Sequence, residues 1–213
     1  VRAAGGPEVR VLSGEEEAAL SSRAVLNSID GALRGEVLIF DTGGGSTEFV
    51  RAAGGEIERA FSVPVGAVTL TDEKFKSSPS DPRLVCSVIA ALTRKFSEAG
   101  VRPGAAMMIG AGGNVTAIAS VAAGLDRYDP NVIHGSALTR EEIMRQTALY
   151  AKCTDEERRE IKGLSPKRAD IILGGACIIL AAMEAAGAKE IVVSDRSLRH
   201  ELLRKELSQD TEI

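Results

Sequence analysis

A carboxylate and three glycines stand together after an apolar run of the chain. Residues 37–40 (VLIF) are apolar, Asp41 follows them, and Gly43, Gly44 and Gly45 come directly afterwards. Glycine adopts positive φ readily and lets a bulky anion approach the backbone, where consecutive N–H groups form an anion-binding nest. A carboxylate beside such a nest repels phosphate, but it suits a metal ion that the phosphate shares. The stretch therefore predicts a phosphate and magnesium site, with an ordinary hairpin turn as the alternative.

A second glycine-rich segment lies about 70 residues further along the chain. An apolar strand predicted over 105–109 leads into Gly110, Gly112 and Gly113, and a helix is predicted over 115–123. A glycine turn that opens a helix directs backbone N–H groups and the positive end of the helix dipole at an anion. The glycines lack the spacing of a dinucleotide fingerprint. We therefore expect a second phosphate contact here, with a simple turn into a helix as the alternative.

A run of three glutamates, Glu15 to Glu17, follows Ser13 near the start of the chain. The spacing from Ser13 to Glu16 is that of a capping box, and acids in a first turn are stabilised by the helix dipole. From these residues alone, helix capping is the favoured interpretation of each glutamate.

The composition excludes several classes of partner. The 213 residues are 44% hydrophobic and 26% charged, with a formal net charge of −4. Without a dense Lys/Arg block, nucleic-acid binding is not expected. No apolar run approaches the roughly 20 residues that span a bilayer, and no signal peptide opens the sequence. Three scattered cysteines make neither a disulfide framework nor a metal-binding spacing. We expect a cytoplasmic protein without a membrane partner.

The order of elements predicts an α/β fold. Strands are predicted over 37–41, 46–52 and 57–63, joined by hairpin turns. Beyond them, helices are predicted over 84–99, 115–123, 167–186 and 198–207, and strands over 105–109 and 190–194. Apart from a first helix and a segment over 124–165, the order is βββαβαβα. This is the connectivity of the ribonuclease-H-like (actin-like ATPase) fold, a five-stranded mixed sheet with helices on both faces.

Within the 124–165 segment, residues 124–138 are predicted to be irregular, and residues 154–165 are predicted to form a short exposed helix and a loop. Leu138 and Thr139 are expected to open a helix that runs to about 152. The charged residues at 154–162 are expected to form a solvated face.

Five motifs now point to one family. They are SGEEEA from Ser13, DTGGGSTE from Asp41, GAGG from Gly110, GL with RAD between Gly163 and Asp170, and SD with LR between Ser194 and Arg199. In this order and spacing, the sequence resembles the exopolyphosphatase/guanosine pentaphosphate phosphohydrolase family over nearly its whole length. It departs from the family pattern Gly-Leu-Arg-(Glu or His)-Gly, because Ser197 and Glu201 replace both glycines.

The resemblance also implies a domain organisation. Residues 1–213 correspond to the second domain of a two-domain module, with 1–35 as a leading segment and linking helix and 124–165 as an insertion. The family's N-terminal domain carries an Asp-x-Gly-Ser-Asn phosphate loop, which this sequence does not contain. The expected partners are therefore that N-terminal domain and a polyphosphate or guanosine polyphosphate substrate. Without the other wall of the cleft, the chain alone is expected to be weakly active or inactive.

By resemblance, the reaction is hydrolysis of a terminal phosphoanhydride. Glu17 aligns with the general base for the attacking water. Asp41 and Glu48 are the predicted ligands of Mg²⁺ or another divalent cation. The predicted phosphate-binding residues are Gly43, Gly44, Gly45, Ser46, Gly112 and Gly113. Arg168 stands near a helix start, where arginine is more often solvated, and His134 and His200 are expected to be surface or packing residues.

Two other classes of function remain open. One is a regulator that binds a guanosine alarmone or another nucleotide through the same loops without useful chemistry. The other is an interaction module, in which the apolar faces of the last helix and of the helix over 15–29 self-associate as a homodimer.

Overall fold

One mixed sheet of six strands organises the chain. The computed structural model describes residues 14–197 and 199–203, with side chains described from residue 19 onward. The strands are β1 Glu36–Thr42, β2 Thr47–Ala53, β3 Glu56–Val63, β4 Met107–Ala111, β5 Ala137–Thr139 and β6 Glu190–Val193. Their spatial order is β3-β2-β1-β4-β6-β5, with β1, β4 and β6 parallel to one another. The carboxyl ends of these three strands therefore meet at one edge of the sheet.

Helices cover both faces of this sheet. They are α1 Gly14–Leu26, α2 Ala67–Lys74, α3 Pro82–Ala99, α4 Gly113–Ala122, α5 Pro130–Ile133, α6 Arg140–Lys152, α7 Asp155–Arg159 and α8 Ile172–Ala186. A 3₁₀ turn spans Pro166–Arg168, and residues 199–203 are again helical. Along β1, Val37 and Ile39 pack in one buried cluster with Val25 and Leu26 of α1. Leu38 and Phe40 point to the opposite cluster, which contains residues of α3 and α8.

The centre of the larger cluster is α8. Every residue of this helix except Glu184 is buried, as expected for a helix that is apolar all round. Its glycines allow neighbouring helices to approach closely. A Cβ on Gly174 would lie 2.7 Å from Thr71 Oγ1 of α2, and a Cβ on Gly175 would lie 2.7 Å from Asn114 Cγ of α4. The sequence of α8 therefore sets the positions of two helices that border the carboxyl edge of the sheet.

Three of the other four phenylalanines pack around Phe49 of β2. Its ring centroid lies 5.1 Å from that of Phe96 on α3, 5.5 Å from Phe61 on β3 and 6.4 Å from Phe40 on β1. Aromatic pairs at these separations add to the energy of apolar burial. The cluster holds the antiparallel part of the sheet against α3.

The predicted fold class is confirmed, with one correction to the strand count. The helix predicted to open at Leu138 and Thr139 and to run to about 152 is found as α6, but residues 137–139 before it form β5, which pairs antiparallel with β6 and makes the sixth strand. Leu138 is buried opposite Ile191, and Thr139 Oγ1 caps α6 by accepting a hydrogen bond from Glu142 N at 3.2 Å. A three-residue strand is too short to leave a period-two signal, so the capping residue alone was visible in the sequence.

The prediction of a solvated face over 154–162 is wrong for Arg158. Its side chain is almost fully buried, with Nε donating to the Tyr150 carbonyl at 2.7 Å and Nη1 paired with Asp155 at 2.9 Å. Burial lowers the pKa of its guanidinium from the usual value. Arg158 therefore anchors α7 to the end of α6.

The three cysteine thiols differ in their exposure. Cys86 is exposed, Cys153 is half-buried and Cys177 is buried, and all three are unpaired. Burial raises the pKa of Cys177 to about 12.

In the part of the chain that the structure describes, every helix is too short or too polar to cross a membrane.

Candidate active site

The two glycine-rich loops meet at the carboxyl ends of β1 and β4. Asp41 pairs with Ala111 in the parallel register, so Gly112 follows alongside the Asp41 carboxylate. A Cβ on Gly112 would overlap Asp41 Oδ1 and would lie 3.2 Å from the Thr42 carbonyl oxygen, and Gly112 has φ +90°. Only glycine meets both requirements without strain. The backbone of the second loop is therefore packed directly against the predicted metal ligand of the first.

The first glycine loop is fixed from behind by α2. The carbonyl of Gly43 accepts a hydrogen bond from Ala67 N at 2.9 Å, and that of Gly44 accepts one from Val68 N at 3.0 Å. A Cβ on Gly66 would collide with the backbone of Gly44. The loop thus lies against the first turn of α2 at a distance that no larger residue permits.

This attachment orients the loop amides. In a trans peptide the C=O and the following N–H point in opposite directions, so the N–H groups of Gly44 and Gly45 point away from α2. Within the described residues, neither of these amides donates a hydrogen bond. The N–H of Gly43, in contrast, donates to the Ser46 carbonyl at 3.0 Å and closes the turn. Of the three glycine amides predicted to bind phosphate in this loop, those of Gly44 and Gly45 are therefore available to an anion, and that of Gly43 is used by the loop itself.

Glu48 lies beside Asp41. The two residues pair directly across β1 and β2, so their side chains leave the same side of the sheet. Oε1 of Glu48 accepts hydrogen bonds from Ser46 Oγ at 2.6 Å and from Ser62 Oγ at 2.9 Å. The hydroxyl of Ser46 therefore orients a carboxylate in this structure.

These two carboxylates fit a divalent cation. Among the described residues, no three His, Cys, Asp or Glu side chains are grouped closely enough to enclose a metal ion. Magnesium, however, is held in phosphate sites by one or two carboxylates and completes its shell with phosphate oxygens and water. Asp41 and Glu48 supply that number of carboxylates on neighbouring strands.

The predicted base lies on the helix that covers these carboxylates. Asp41 is in phase with Ile39 along β1, and the side chain of Ile39 packs in the cluster that contains α1 residues. Glu17 stands in the first turn of α1, but its side chain and the predicted cap Ser13 lie outside the described residues. The assignment of Glu17 as general base therefore stays a prediction.

Arg168 lies over the start of α4. Gly112 caps this helix without a side-chain hydrogen bond, and a Cβ on Gly113 would overlap the Arg168 guanidinium. The sequence favoured a solvated position for Arg168, and the structure instead places its charge against a helix N-terminus. A cation and unsatisfied helix amides at one point form a strong anion-binding arrangement.

A cleft of about 690 Å³ opens in front of these groups. It extends from Asp41 and the start of α4 to the loops at 125–128, 163–168 and 194–197, and the arginines that line it among the described residues are Arg168, Arg196 and Arg199. A second cavity of about 260 Å³ lies under α1, next to Glu48, Ser46 and Ser22. Asp41 and Arg196 line both cavities, so the two spaces meet at these side chains.

A comparison with protein families identifies this arrangement. The model of the Ppx/GppA phosphatase family matches residues 1–210. The chain belongs to the Ppx/GppA phosphatase family. The family predicted from the five sequence motifs is therefore confirmed.

Individual relatives agree with this assignment to the Ppx/GppA family. The chain is 32% identical over 193 residues to a bifunctional 3-dehydroquinate synthase/phosphatase of Fusobacterium nucleatum, which covers 88% of this chain and 29% of that protein. It is 29% identical over 201 residues to exopolyphosphatase 2 of Mycobacterium tuberculosis, covering 91% of this chain and 62% of that protein. The chain thus spans less than two thirds of either relative.

Solved structures of the Ppx/GppA family share the fold. The crystal structure of the Aquifex aeolicus family member matches with a TM-score of 0.87 at 30% identity, over 98% of this chain and 67% of that one. An exopolyphosphatase-like protein matches with a TM-score of 0.83 at 28% identity, over 96% and 70%. These matches confirm the actin-like architecture.

The outer wall of this Ppx/GppA cleft contains residues that sequence reasoning missed. The hydroxyl of Tyr128 donates a hydrogen bond to the carboxylate of Asp195. Partial burial, followed by that hydrogen bond, raises the pKa of Tyr128 above its usual range. Asp195 was visible only as part of a family motif, and Tyr128 lies in the irregular 124–138 stretch without any local signal. Arg196 carried no signal either, since only the fold brings it beside Asp41.

Proposed function

We propose that this chain forms the phosphate-binding part of a cytoplasmic phosphohydrolase. The reaction is removal of the terminal phosphate of inorganic polyphosphate or guanosine pentaphosphate. The observation that carries the proposal is the convergence of two glycine loops on Asp41, where Gly112 lies against the carboxylate. Membership of a phosphatase family and similarity to an exopolyphosphatase support the reaction class.

Backbone amides and Arg168 bind the phosphate oxygens in this proposal. The N–H groups of Gly44 and Gly45 point away from α2 and contact one phosphate. The first turn of α4, beginning at Gly113, and the guanidinium of Arg168 contact the next. Neutralisation and positioning of charge are the main requirements of phosphoryl transfer, because the transition state spreads charge over the equatorial oxygens.

Asp41 and Glu48 would hold a divalent cation, Mg²⁺ or another. When bound, this ion offsets phosphate charge and draws electron density from the phosphoryl oxygens. Ser46 and Ser62 assist by fixing Oε1 of Glu48, which leaves the direction of its other oxygen defined. The carboxylate of Asp41 lies against Gly112 of the second glycine loop.

Glu17 acts as the general base in this proposal. It accepts a proton from the water that attacks phosphorus in line with the leaving oxygen. The position of Glu17 on α1, the helix that covers the face of Asp41 and Glu48, is compatible with this role. Asp41 would hold the metal ion, so a separate carboxylate is needed to accept the proton.

A further domain completes the cleft. The relatives are longer than this chain, and we propose that an N-terminal domain supplies the facing wall and much of the substrate contact. The chain alone should therefore hydrolyse polyphosphate weakly or not at all. A homodimer built on α1 and the terminal helix is the competing arrangement, and light scattering of the chain distinguishes a dimer from a monomer.

Phosphate release from polyphosphate and from guanosine pentaphosphate tests the proposed reaction. The full-length protein should release phosphate from at least one of them in the presence of Mg²⁺. Titration calorimetry with guanosine tetraphosphate is run in parallel. Tight alarmone binding without release from either substrate would contradict the enzyme and favour the nucleotide-binding regulator.

A further inference from the structure

We propose that His134 is a positioning residue that connects the end of α1 to the outer wall of the cleft. The proposal rests on the proposed function, because it assigns consequences to Glu17 on α1 and to the substrate cleft. His134 was expected to be a surface or packing residue. Its ring instead makes two directed hydrogen bonds to segments that are distant in sequence.

The two ring nitrogens have different partners. Nε2 lies 3.1 Å from the carbonyl oxygen of Ser28, and Nδ1 lies 3.3 Å from the backbone N of Asp195. A carbonyl oxygen only accepts and a backbone N–H only donates. The neutral ring with its proton on Nε2 satisfies both contacts, so the surroundings define one tautomer.

The first contact reaches the helix that carries the predicted base. Ser28 stands two residues beyond the end of α1, in the turn that leads toward β1. Asn27 in the same turn donates through Nδ2 to Glu201 Oε2 at 3.4 Å. The carboxyl end of α1 is therefore fixed by side chains, and the contact with His134 sets its position relative to the segment that follows α5.

The second contact reaches the cleft. The backbone N–H that donates to His134 belongs to Asp195, and the carboxylate of Asp195 accepts the hydrogen bond from Tyr128. Both residues line the cleft, as does the adjacent Arg196. His134 therefore fixes the backbone from which part of the outer wall projects.

The backbone around His134 holds the ring in place. The N–H of His134 donates to the Pro130 carbonyl at 2.9 Å, and that of Gly135 donates to the Val193 carbonyl at 2.8 Å. Ile133 is fully buried directly before it. The backbone that carries the ring is thus hydrogen-bonded to α5 on one side and to β6 on the other, so the positions of the two ring nitrogens are well defined.

Two conservative substitutions separate the two contacts. In His134→Asn the side-chain oxygen stands near the place of Nδ1, so the contact with Asp195 is retained and that with Ser28 is lost. In His134→Gln the amide nitrogen reaches the place of Nε2, so the contact with Ser28 is retained and that with Asp195 is lost. His134→Ala removes both.

Steady-state kinetics of the full-length protein provide the first readout. One hydrogen bond contributes about 0.5–1.5 kcal/mol, or about 2- to 12-fold in a rate or an affinity. We expect His134→Asn to lower kcat by such a factor at near-normal KM, because α1 moves while the wall stays. His134→Gln should raise KM at near-normal kcat, and His134→Ala should do both. Equal changes of kcat and KM in all three variants, following their melting temperatures, would overturn the proposal.

The ¹⁵N NMR shifts of the imidazole nitrogens provide a readout that needs no activity. The chain contains two histidines, and a His200→Asn variant identifies the signals of His134. The proposal expects the neutral ring to be protonated on Nε2 and unprotonated on Nδ1, and the opposite tautomer would overturn it. If the parent protein hydrolyses neither substrate while this tautomer is found, the proposed function fails but the connection made by His134 stands.

Discussion

The two walls of the cleft are built in different ways. The inner wall consists of the glycine loops after β1 and β4, each of which is a short continuous stretch of sequence held by backbone contacts. The outer wall consists of side chains from three separate segments, among them Tyr128, Arg168 and Asp195. The inner wall has little room for change, since a Cβ at Gly66 or Gly112 would meet other atoms at once.

This difference separates two tasks. The inner wall sets the distance between the phosphate amides and the carboxylate of Asp41, so we expect changes there to abolish the chemistry. The outer wall consists of partly exposed side chains that do not contact Asp41 through the backbone, so we expect changes there to alter affinity and substrate choice. The predictions below test that separation, from the largest expected effect to the smallest.

Removing the predicted base should have the largest effect. Glu17→Gln in the full-length protein should lower kcat for polyphosphate by at least about 100-fold, the lower end of what general base catalysis contributes. Glu16→Gln, one residue away in the same helical turn, is the matched control and should retain activity. Circular dichroism should show both variants folded. Equal activity of the two variants would contradict the assignment of Glu17.

A side chain added to the inner wall should have the second-largest effect on activity. Gly112→Ala forces a side chain toward Asp41 and Thr42, and it should abolish most hydrolysis while lowering the free energy of unfolding by about 1–3 kcal/mol. The control is Gly54→Ala in the turn between β2 and β3, which also has a positive φ (+57°) but open space around its Cβ. Urea unfolding and phosphate release measure both variants. If Gly54→Ala lost as much activity as Gly112→Ala, backbone strain alone would explain the result.

Removing a cation from the outer wall should weaken binding without abolishing turnover. Arg168→Ala should raise KM by about 10-fold or more, because a hydrogen bond to a charged group contributes about 1.5–3 kcal/mol. Arg168→Lys should recover part of the loss. Arg94→Ala, on the exposed surface of α3, is the control for the loss of one positive charge. A fall in kcat with unchanged KM would place Arg168 with the inner wall instead.

The smallest effect concerns tyrosine ionisation. The chain has two tyrosines and no tryptophan, and burial is the first cause that raises the pKa of both Tyr128 and Tyr150 above 10. The folded chain should therefore show little tyrosinate absorbance at pH 10, where the unfolded chain is half ionised. Because folding raises the pKa of both tyrosines, their protonated hydroxyls favour the folded state. This contribution to the free energy of unfolding is present below pH 10 and is lost as the pH rises above 10. A normal titration near pH 10 in the folded chain would contradict the Tyr128–Asp195 contact.

The inner wall was predictable from sequence because its signal is local. Asp41 with its glycines and Gly112 with Gly113 each lie within a few residues, and strand patterns identify the ends they follow. The order of the longer strands and helices was also readable, since each leaves a periodic apolar pattern. β5 was not, because three residues carry no period.

The outer wall was not predictable because it depends on tertiary packing. Arg168 reaches Gly113 only because the preceding loop lies against the end of α4, where a Cβ on Gly163 would lie 2.5 Å from the Ser120 carbonyl oxygen. Tyr128 reaches Asp195 across 67 residues of sequence. Neither contact can be predicted from the spacing of these residues in the sequence, because both depend on the sheet order that places β6 beside β4.

One measurement tests the central claim most directly: titration calorimetry of tripolyphosphate into the chain, with Mg²⁺ and with EDTA. The account predicts tighter binding with Mg²⁺ for the parent chain, and no difference between the two conditions for Asp41→Asn. Binding of the parent that is independent of Mg²⁺, or a full Mg²⁺ effect in Asp41→Asn, would contradict a shared metal and phosphate site at the end of β1.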